Sequence, residues 1–335
     1  MNNKGIYIKD IKENIRLEGL FLVKDKNNGI TKNGKPYLAL NISDKTGDVK
    51  GRIWDNAEKF GKLFSQGDIV KLRAFSVLYQ GILQLNINAI EKYNGDDSIL
   101  CEFLPASEND PEKCFNDLMS FVDKIDNIHI KKLLDSIFAD KKIATAFKSA
   151  PAAKTIHHDY LGGLLEHTLS VTQLAYDISK HYRNINRDIL LAGSILHDIG
   201  KIHELSYDRN FEYSDAGRLV GHIVLGYEIV TEKIKLLPDF PEDLARLLRH
   251  LILSHHGQYD FGSPKRPKTL EALLLSYLDD IDAKMYGLAQ FIKKEKKPDT
   301  KWTSYHKLFD RYIYTDTFKE DETDGNRLSE KDPVL

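Results

Sequence analysis

Between residues 15 and 92 apolar side chains recur at every second position over short runs broken by Gly and Asn, the period of half-buried strands. In Tyr37-Leu38-Ala39-Leu40-Asn41-Ile42, residues Leu38, Leu40 and Ile42 share one face. A turn at Lys45-Thr46-Gly47 leads into a strand whose Val49 and Ile53 point inward and whose Lys50, Arg52 and Trp54 point outward. Val70, Leu72 and Ala74 repeat the pattern with Lys71, Arg73 and Phe75 opposite, and Leu83, Leu85 and Ile87 close the set with Gln84 and Asn86 opposite. About five strands in so short a stretch predict a small all-β barrel.

From Pro111 the period becomes helical. Phe115, Leu118, Phe121 and Val122 recur at helix spacing, as do Ile130, Leu133, Leu134 and Ile137, and the pattern runs to about Tyr314 without a convincing strand. Four segments are expected: a barrel domain over 1–94, a polar linker over 95–110, an all-α domain over 111–316 and an acidic, apolar-poor tail over 317–335 expected to be disordered. No stretch has the roughly 20 apolar residues of a spanning helix, and the first residues lack the apolar core of a signal peptide, so a cytoplasmic protein without membrane attachment is expected. Two cysteines, Cys101 and Cys114, cannot build a disulfide framework or a cysteine zinc site.

A net charge of −2 hides an asymmetry. Residues 1–94 carry +6 and the remainder −8, and all 12 histidines lie at or beyond His129. A basic, histidine-free front and an acidic, histidine-rich back suit a polyanion-binding module joined to a metal-collecting one. On the outward barrel face, Tyr37, Trp54 and Phe75 interleave with Lys50, Arg52, Lys71 and Arg73. Single-stranded nucleic acid is bound this way, its bases stacked on rings and its phosphates tracked by cations. The strand count and the Asn33-Gly34-Lys35 loop fit an oligonucleotide-binding OB barrel.

The back half carries the more specific signal. His167 opens an amphipathic helix, and a nearly all-apolar run from Asp188 ends in His197-Asp198-Ile199-Gly200-Lys201. His222, the pair His255-His256, and Asp279-Asp280-Ile281-Asp282 follow on further apolar helices. Buried helices avoid ionisable groups unless these are paired or bind a metal, and such side chains can converge on a divalent centre in a bundle core. This pattern resembles the HD-domain phosphohydrolase superfamily, whose H…HD…D signature is matched at His167, His197, Asp198 and Asp279.

What the resemblance implies is a binuclear centre. His167, His197, Asp198 and Asp279 would hold one divalent ion, with Asp198 bridging to a second bound by His222, His255 and His256. Asp279 is chosen because Asp279–Ala283 resembles the D-x-x-D-A segment of the superfamily; Asp282, one turn on, would then support the ligands, and Asp280 would face elsewhere. Nitrogen and oxygen donors without cysteine suit Mn²⁺, which the resemblance implies, and also fit Fe²⁺, Co²⁺ or Mg²⁺.

Read with the barrel, with Asp44–Asp55 and with Pro151–His158 and Gly162–His167, the chain is similar over about residues 5–315 to the YhaM-type 3′-to-5′ exoribonucleases. The implied fold is multidomain, a small all-β OB barrel followed by an all-α HD-domain helical bundle. The implied activity is metal-dependent trimming of single-stranded RNA, and also single-stranded DNA, from the 3′ end to 5′-mononucleotides. Asp198 and Lys201 are the expected catalytic residues, Lys201 by neutralising a phosphate oxygen. Expected substrate contacts are His157, His158, Lys265 and Arg266 near the metals, and Tyr37, Lys50, Arg52, Trp54, Arg73 and Phe75 on the barrel. Two other readings stay open: a phosphodiesterase for cyclic or small nucleotides, disfavoured because Gly257-Gln258-Tyr259-Asp260 replaces the Gly-Tyr-Pro of one such branch, and a non-catalytic nucleic-acid-binding protein. A homo-oligomer would be needed if one barrel cannot reach its own metal centre.

Overall fold

The computed structural model describes residues 4–31, 33–95, 102–104, 106–107, 109–153, 160–206, 212–296 and 299–319. Strands β1 (Arg16–Ile30), β2 (Pro36–Asp44), β3 (Gly47–Ile53), β4 (Ile69–Tyr79) and β5 (Ile82–Lys92) close into a barrel of order β1-β2-β3-β5-β4, with β4 returning to β1. Only the β3–β5 pair is parallel, and a short helix α1 (Ala57–Gly61) lies in the β3–β4 connection. This is the closed Greek-key barrel of an OB fold.

The period-2 pattern decides what fills it. Leu38, Leu40, Ile42, Val49, Ile53, Val70, Leu72, Ala74, Leu85 and Ile87 form one buried cluster, while Lys50, Lys71 and Arg73 face solvent. Gln84 departs from the expected alternation: it is buried and Leu83 only half-buried. Gln84 lies between Lys50 on β3 and Val77 on β4, so its neighbours cover an outward-facing side chain.

At the start of the barrel Lys4 is fully enclosed and donates to Asp44 Oδ2 at 2.5 Å, and Asp44 also accepts from the Ile8 amide at 2.9 Å. Residues 102–104 are docked on the outside of the barrel rather than solvated. Phe103 and Leu104 are buried with Leu20, Leu22 and Ile69, and the Glu102 carboxylate takes the Tyr7 hydroxyl and the Lys45 ammonium.

The helical part begins with α2 (Pro111–Asp123), α3 (Ile128–Phe138) and α4 (Lys141–Ser149), started by the caps Asp110, Asn127 and Asp140. It continues through α5 (Gly163–His181), α6 (Arg187–Leu196) and the single turn α7 (Lys201–Glu204). A ribbon of β6 (Leu205–Ser206) and β7 (Glu212–Tyr213) leads to α8 (Asp215–Leu219), α9 (His222–Lys235), α10 (Glu242–Ser254) and α11 (Leu270–Glu295). The apolar faces of α2 to α6, α9, α10 and the start of α11 share one core, with Leu190, Leu191, Ala192 and Ile195 of α6 fully buried at its centre.

The expectation of continuous helix to about Tyr314 is corrected. Helix ends at Glu295, and residues 299–319 are turns joined by isolated bridges, Trp302 to Tyr314 and His306 to Arg311. Their aromatic residues are exposed or contact one another, as Trp302 with Tyr314 and Tyr305 with Tyr312. Apolar content alone therefore imitated a helical face. The last segment, from Asp280 onward, forms a compact unit of its own.

Candidate metal centre and nucleic-acid face

Five helices each deliver ligand-type side chains from a defined position. His167 lies in the second turn of α5; His197 and Asp198 close α6; His222 begins α9; His255 and His256 follow the last turn of α10; Asp279 lies within α11. Ring and carboxylate atoms come together as two adjoining groups, His167 with His197 and Asp279, and His222 with His255 and His256. Within each group the donor atoms lie within 4.8 Å of one another.

Asp198 stands between the groups with one oxygen toward each. Its Oδ2 is 3.4 Å from His197 Nε2 and 3.6 Å from His167 Nε2, whereas Oδ1 is 3.4 Å from His222 Nε2 and 3.5 Å from His255 Nε2. Asp279 Oδ1 is 3.2 Å from His167 Nε2. His167, His197, His255 and Asp198 are buried.

Four imidazoles are turned the same way by their neighbours. His197 Nδ1 is 2.8 Å from the Ser194 carbonyl, His255 Nδ1 2.8 Å from the Ile252 carbonyl, His256 Nδ1 2.8 Å from the Phe261 carbonyl and His222 Nδ1 2.9 Å from Glu204 Oε1. Each Nδ1 faces an acceptor and so carries the proton, which leaves the Nε2 lone pair aimed into the site. Asp198 Oδ1, His222 Nε2 and His255 Nε2 are buried without a hydrogen-bond partner. Orphaned acceptors of this kind, all converging on one space, fit divalent cations held by nitrogen and oxygen.

The electrostatics favour the same state. Burial works against ionisation of Asp198, but the Lys201 ammonium beside it more than offsets this and holds the carboxyl well below its usual range. Burial likewise opposes ionisation of Asp279, yet the hydrogen bond from His167 and the nearby His197 keep it an anion. Burial pushes His255 down, and burial together with His255 does the same to His256, so both rings stay neutral and able to ligate. The Lys201 ammonium lies 2.6 Å from Asp198 Oδ2 and is buried with it. Lys201 begins α7.

Two residues outside the predicted set hold the centre in shape. Glu204 Oε1 accepts from both the amide and Nδ1 of His222, at 3.0 and 2.9 Å. Gly200 lets α9 approach: a Cβ there would lie 2.0 Å from the His222 carbonyl oxygen. The spacing after His197-Asp198 shows the glycine, but no local pattern marks Glu204, because the chain returns to it only after the β6–β7 ribbon and α8. Asp280 is exposed and bonded to Lys284, as expected of a residue facing elsewhere, and Asp282 lies one turn beyond Asp279 on α11. His157 and His158 fall outside the described residues.

On the barrel, Tyr37, Arg52 and Trp54 form one group, Trp54 exposed and the other two half-buried. The Tyr37 and Trp54 ring centroids are 5.1 Å apart, and the Arg52 guanidinium lies 5.1 Å from the first and 5.7 Å from the second. Trp54 is 45% exposed and its Nε1 donates to Asn86 Oδ1 at 3.1 Å, while the Tyr37 ring lies over Gly29, where any Cβ would meet it at 2.4 Å. Phe75 belongs to the same cross-barrel row, paired through Asn86 to Arg52. Lys50 is exposed on β3. Arg73 and Lys71 are both bonded to Glu18 at 2.9 Å, which sets them apart from the aromatic group. Lys265 and Arg266 are exposed on the loop after His256, and Lys265 is anchored by its amide to the Leu253 carbonyl at 3.1 Å.

Comparison with known proteins places both halves. Residues 164–284 match the HD domain family and residues 16–93 the OB-fold nucleic acid binding domain family. The chain is 32% identical over 318 residues to the 3′-5′ exoribonuclease YhaM of Bacillus subtilis (strain 168), covering 94% of this chain and 99% of that one. It is 34% identical over 270 residues to the YhaM of Shouchella clausii, covering 80% and 84%. Among solved structures, the second OB-fold domain of replication protein A from Methanococcus maripaludis is similar at 19% identity and a TM-score of 0.23, covering 27% of this chain and 96% of that one.

Proposed function

The chain belongs to the YhaM family of 3′-5′ exoribonucleases, and from that premise we propose how its parts divide the work. The barrel face of Tyr37, Arg52, Trp54 and Phe75, with Lys50 beside it, holds single-stranded RNA, whereas Arg73, bonded to Glu18, is left out of the face. Seven side chains, His167, His197, Asp198, His222, His255, His256 and Asp279, hold two divalent cations, and hydrolysis there releases 5′-mononucleotides from the 3′ end. The observation that carries the reading is Asp198, which turns one oxygen to each histidine group while Oδ1 has no hydrogen-bond partner of its own.

When bound, the two cations supply charge on the non-bridging phosphate oxygens and a nucleophile at neutral pH by lowering the pKa of water. The chain's own groups prepare for this. Asp198 and Asp279 are kept as carboxylates, and the Nδ1 protons of four imidazoles are fixed on carbonyl or carboxylate oxygens, so none of these four rings must reorient. Lys201, held at Asp198, is a buried ammonium beside the centre and neutralises a phosphate oxygen as charge develops. Exposed Lys265 and Arg266 draw the backbone toward the centre. Mn²⁺ fits the mixed nitrogen and oxygen donors, single-stranded DNA is accepted by the same base-stacking face, and the protein acts in the cytoplasm, where RNA is turned over.

Incubation of 3′-labelled and 5′-labelled single-stranded RNA with Mn²⁺, with and without chelator, tests the assignment. Stepwise shortening from the 3′ end, lost with chelator and in Asp198→Ala, is expected. Turnover of cyclic or free nucleotides alone, or binding without cleavage under any metal, would overturn it.

A further inference from the structure

The loop that follows α10 carries two large exposed aromatic side chains beside a candidate ligand. Tyr259 and Phe261 are 59% and 66% exposed and lie in a single 3₁₀ turn, Tyr259–Phe261. Neither helps to hold the turn, because its backbone is satisfied internally: the Phe261 amide donates to the Gln258 carbonyl, Gly262 to Tyr259 and Ser263 to Gln258. The turn is also tied to the centre, since the Phe261 carbonyl accepts the His256 Nδ1 proton at 2.8 Å. Across the loop the Arg266 guanidinium sits 5.2 Å from the Tyr259 ring centroid. The Lys268 amide donates to His250 Nε2 at 2.9 Å, which fixes the far end of the loop to α10.

Exposed aromatic area on a rigid turn, with a cation stacked on it, is what a nucleobase and its phosphate recognise. Its connection through His256 puts it at the edge of the centre. We infer that Tyr259, with Phe261 and Arg266, forms the platform on which the 3′-terminal base of the RNA stacks. This rests on the function proposed above and extends it. The platform takes any base, because every base offers a π face, and it positions the terminal nucleotide so that its 5′ phosphate meets the two cations. Arg266 holds the Tyr259 ring by cation–π contact and supplies charge to the same nucleotide. Stacking here is separate from that on Tyr37 and Trp54, which engages bases further along the strand.

The test uses the full-length protein with Mn²⁺ and two oligoadenylates, one intact and one with an abasic 3′-terminal nucleotide. For Tyr259→Ala we expect KM on the intact strand to rise about tenfold or more with little change in kcat, and Tyr259→Phe and Tyr259→Trp to restore it. On the abasic strand the wild type should already be weak and Tyr259→Ala should add no further loss. Calorimetric Mn²⁺ binding by Tyr259→Ala should equal that of the wild type. An unchanged KM on the intact strand, an equal loss on both strands, or lost Mn²⁺ binding would each overturn the platform, the last because the turn would then serve only to hold His256. If the wild type fails to shorten the intact strand from its 3′ end, the proposed function falls first; if it shortens it and Tyr259→Ala does so equally well, the platform alone falls.

Discussion

Replacing Gly200 with alanine perturbs the centre without altering a ligand. The new Cβ would lie 2.0 Å from the His222 carbonyl oxygen and 2.5 Å from the Gly226 amide nitrogen, where real contacts stay above 3.0 Å. Both neighbours are backbone of the first turns of α9, so no side chain can swing aside and the helix has to retreat by about 1 Å. His222 Nε2, now 3.4 Å from Asp198 Oδ1, moves with it, while metal–ligand distances tolerate only about 0.2 Å. Overpacking against fixed neighbours costs ~3 kcal/mol, the upper end of its usual range. For a domain of this size that is a fall of ~6–12 °C in Tm. Scanning calorimetry of the chelated protein reads the first effect; isothermal titration with Mn²⁺ reads the second, a loss of about tenfold or more in affinity. Gly61→Ala is the control, since its Cβ meets only the Leu38 side chain at an ordinary 3.4 Å. A Gly200→Ala protein with the wild-type Tm and Mn²⁺ affinity would refute the reasoning, for it would mean that the approach of α9 to α7 does not set the position of His222.

Glu204→Ala, which frees the ring of His222, should lower Mn²⁺ affinity about 10- to 100-fold while RNA binding to the chelated protein stays as in the wild type; titration calorimetry and filter binding read the two. Trp54→Ala should weaken RNA binding by ~1–3 kcal/mol without changing its salt dependence, whereas Arg52→Ala should reduce the slope of log K against log salt by about one. The clamp of residues 102–104 on the barrel should be acid-sensitive. Hydrogen bonds from Tyr7 and Lys45 hold the Glu102 carboxyl below its ordinary value of 4.5, so its contribution is complete above that value and disappears as the pH falls through the folded one. The Tm difference between wild type and Glu102→Gln should therefore be constant from pH 7 to 5.5 and shrink toward zero on further acidification; a difference that grows in acid would contradict the clamp.

The barrel was legible because burial of one face and solvation of the other leave a period-2 record in each strand, down to Val49 and Ile53 inside and Lys50 outside. The metal-type residues were legible for a different reason: ionisable groups at the ends of apolar helices such as α6 are costly unless they serve a site, so His197 and Asp198 stand out. What lies between helices left little trace. Glu204 reaches His222 only through the fold-back of β6, β7 and α8, and Gly200 reads as a helix terminator until the backbone of α9 is seen against it. Likewise the aromatic residues from Trp302 to Tyr314 have the composition of a helix face but are spent on short bridges, so the expected helix does not form. Glu18 shows the same limit on the barrel. Strand pairing alone sets it against Arg73, and with Lys71 it draws that charge away from the group around Trp54.

The central claim is that Asp198 joins two cation sites. Titration of the metal-free protein with Mn²⁺, followed by electron paramagnetic resonance and by metal content after gel filtration, tests it most directly. The account predicts that two equivalents bind per chain and that filling the second produces the multiline spectrum of an exchange-coupled pair, since one carboxylate is shared between them. A single equivalent, or two whose spectra remain those of isolated Mn²⁺, would contradict it.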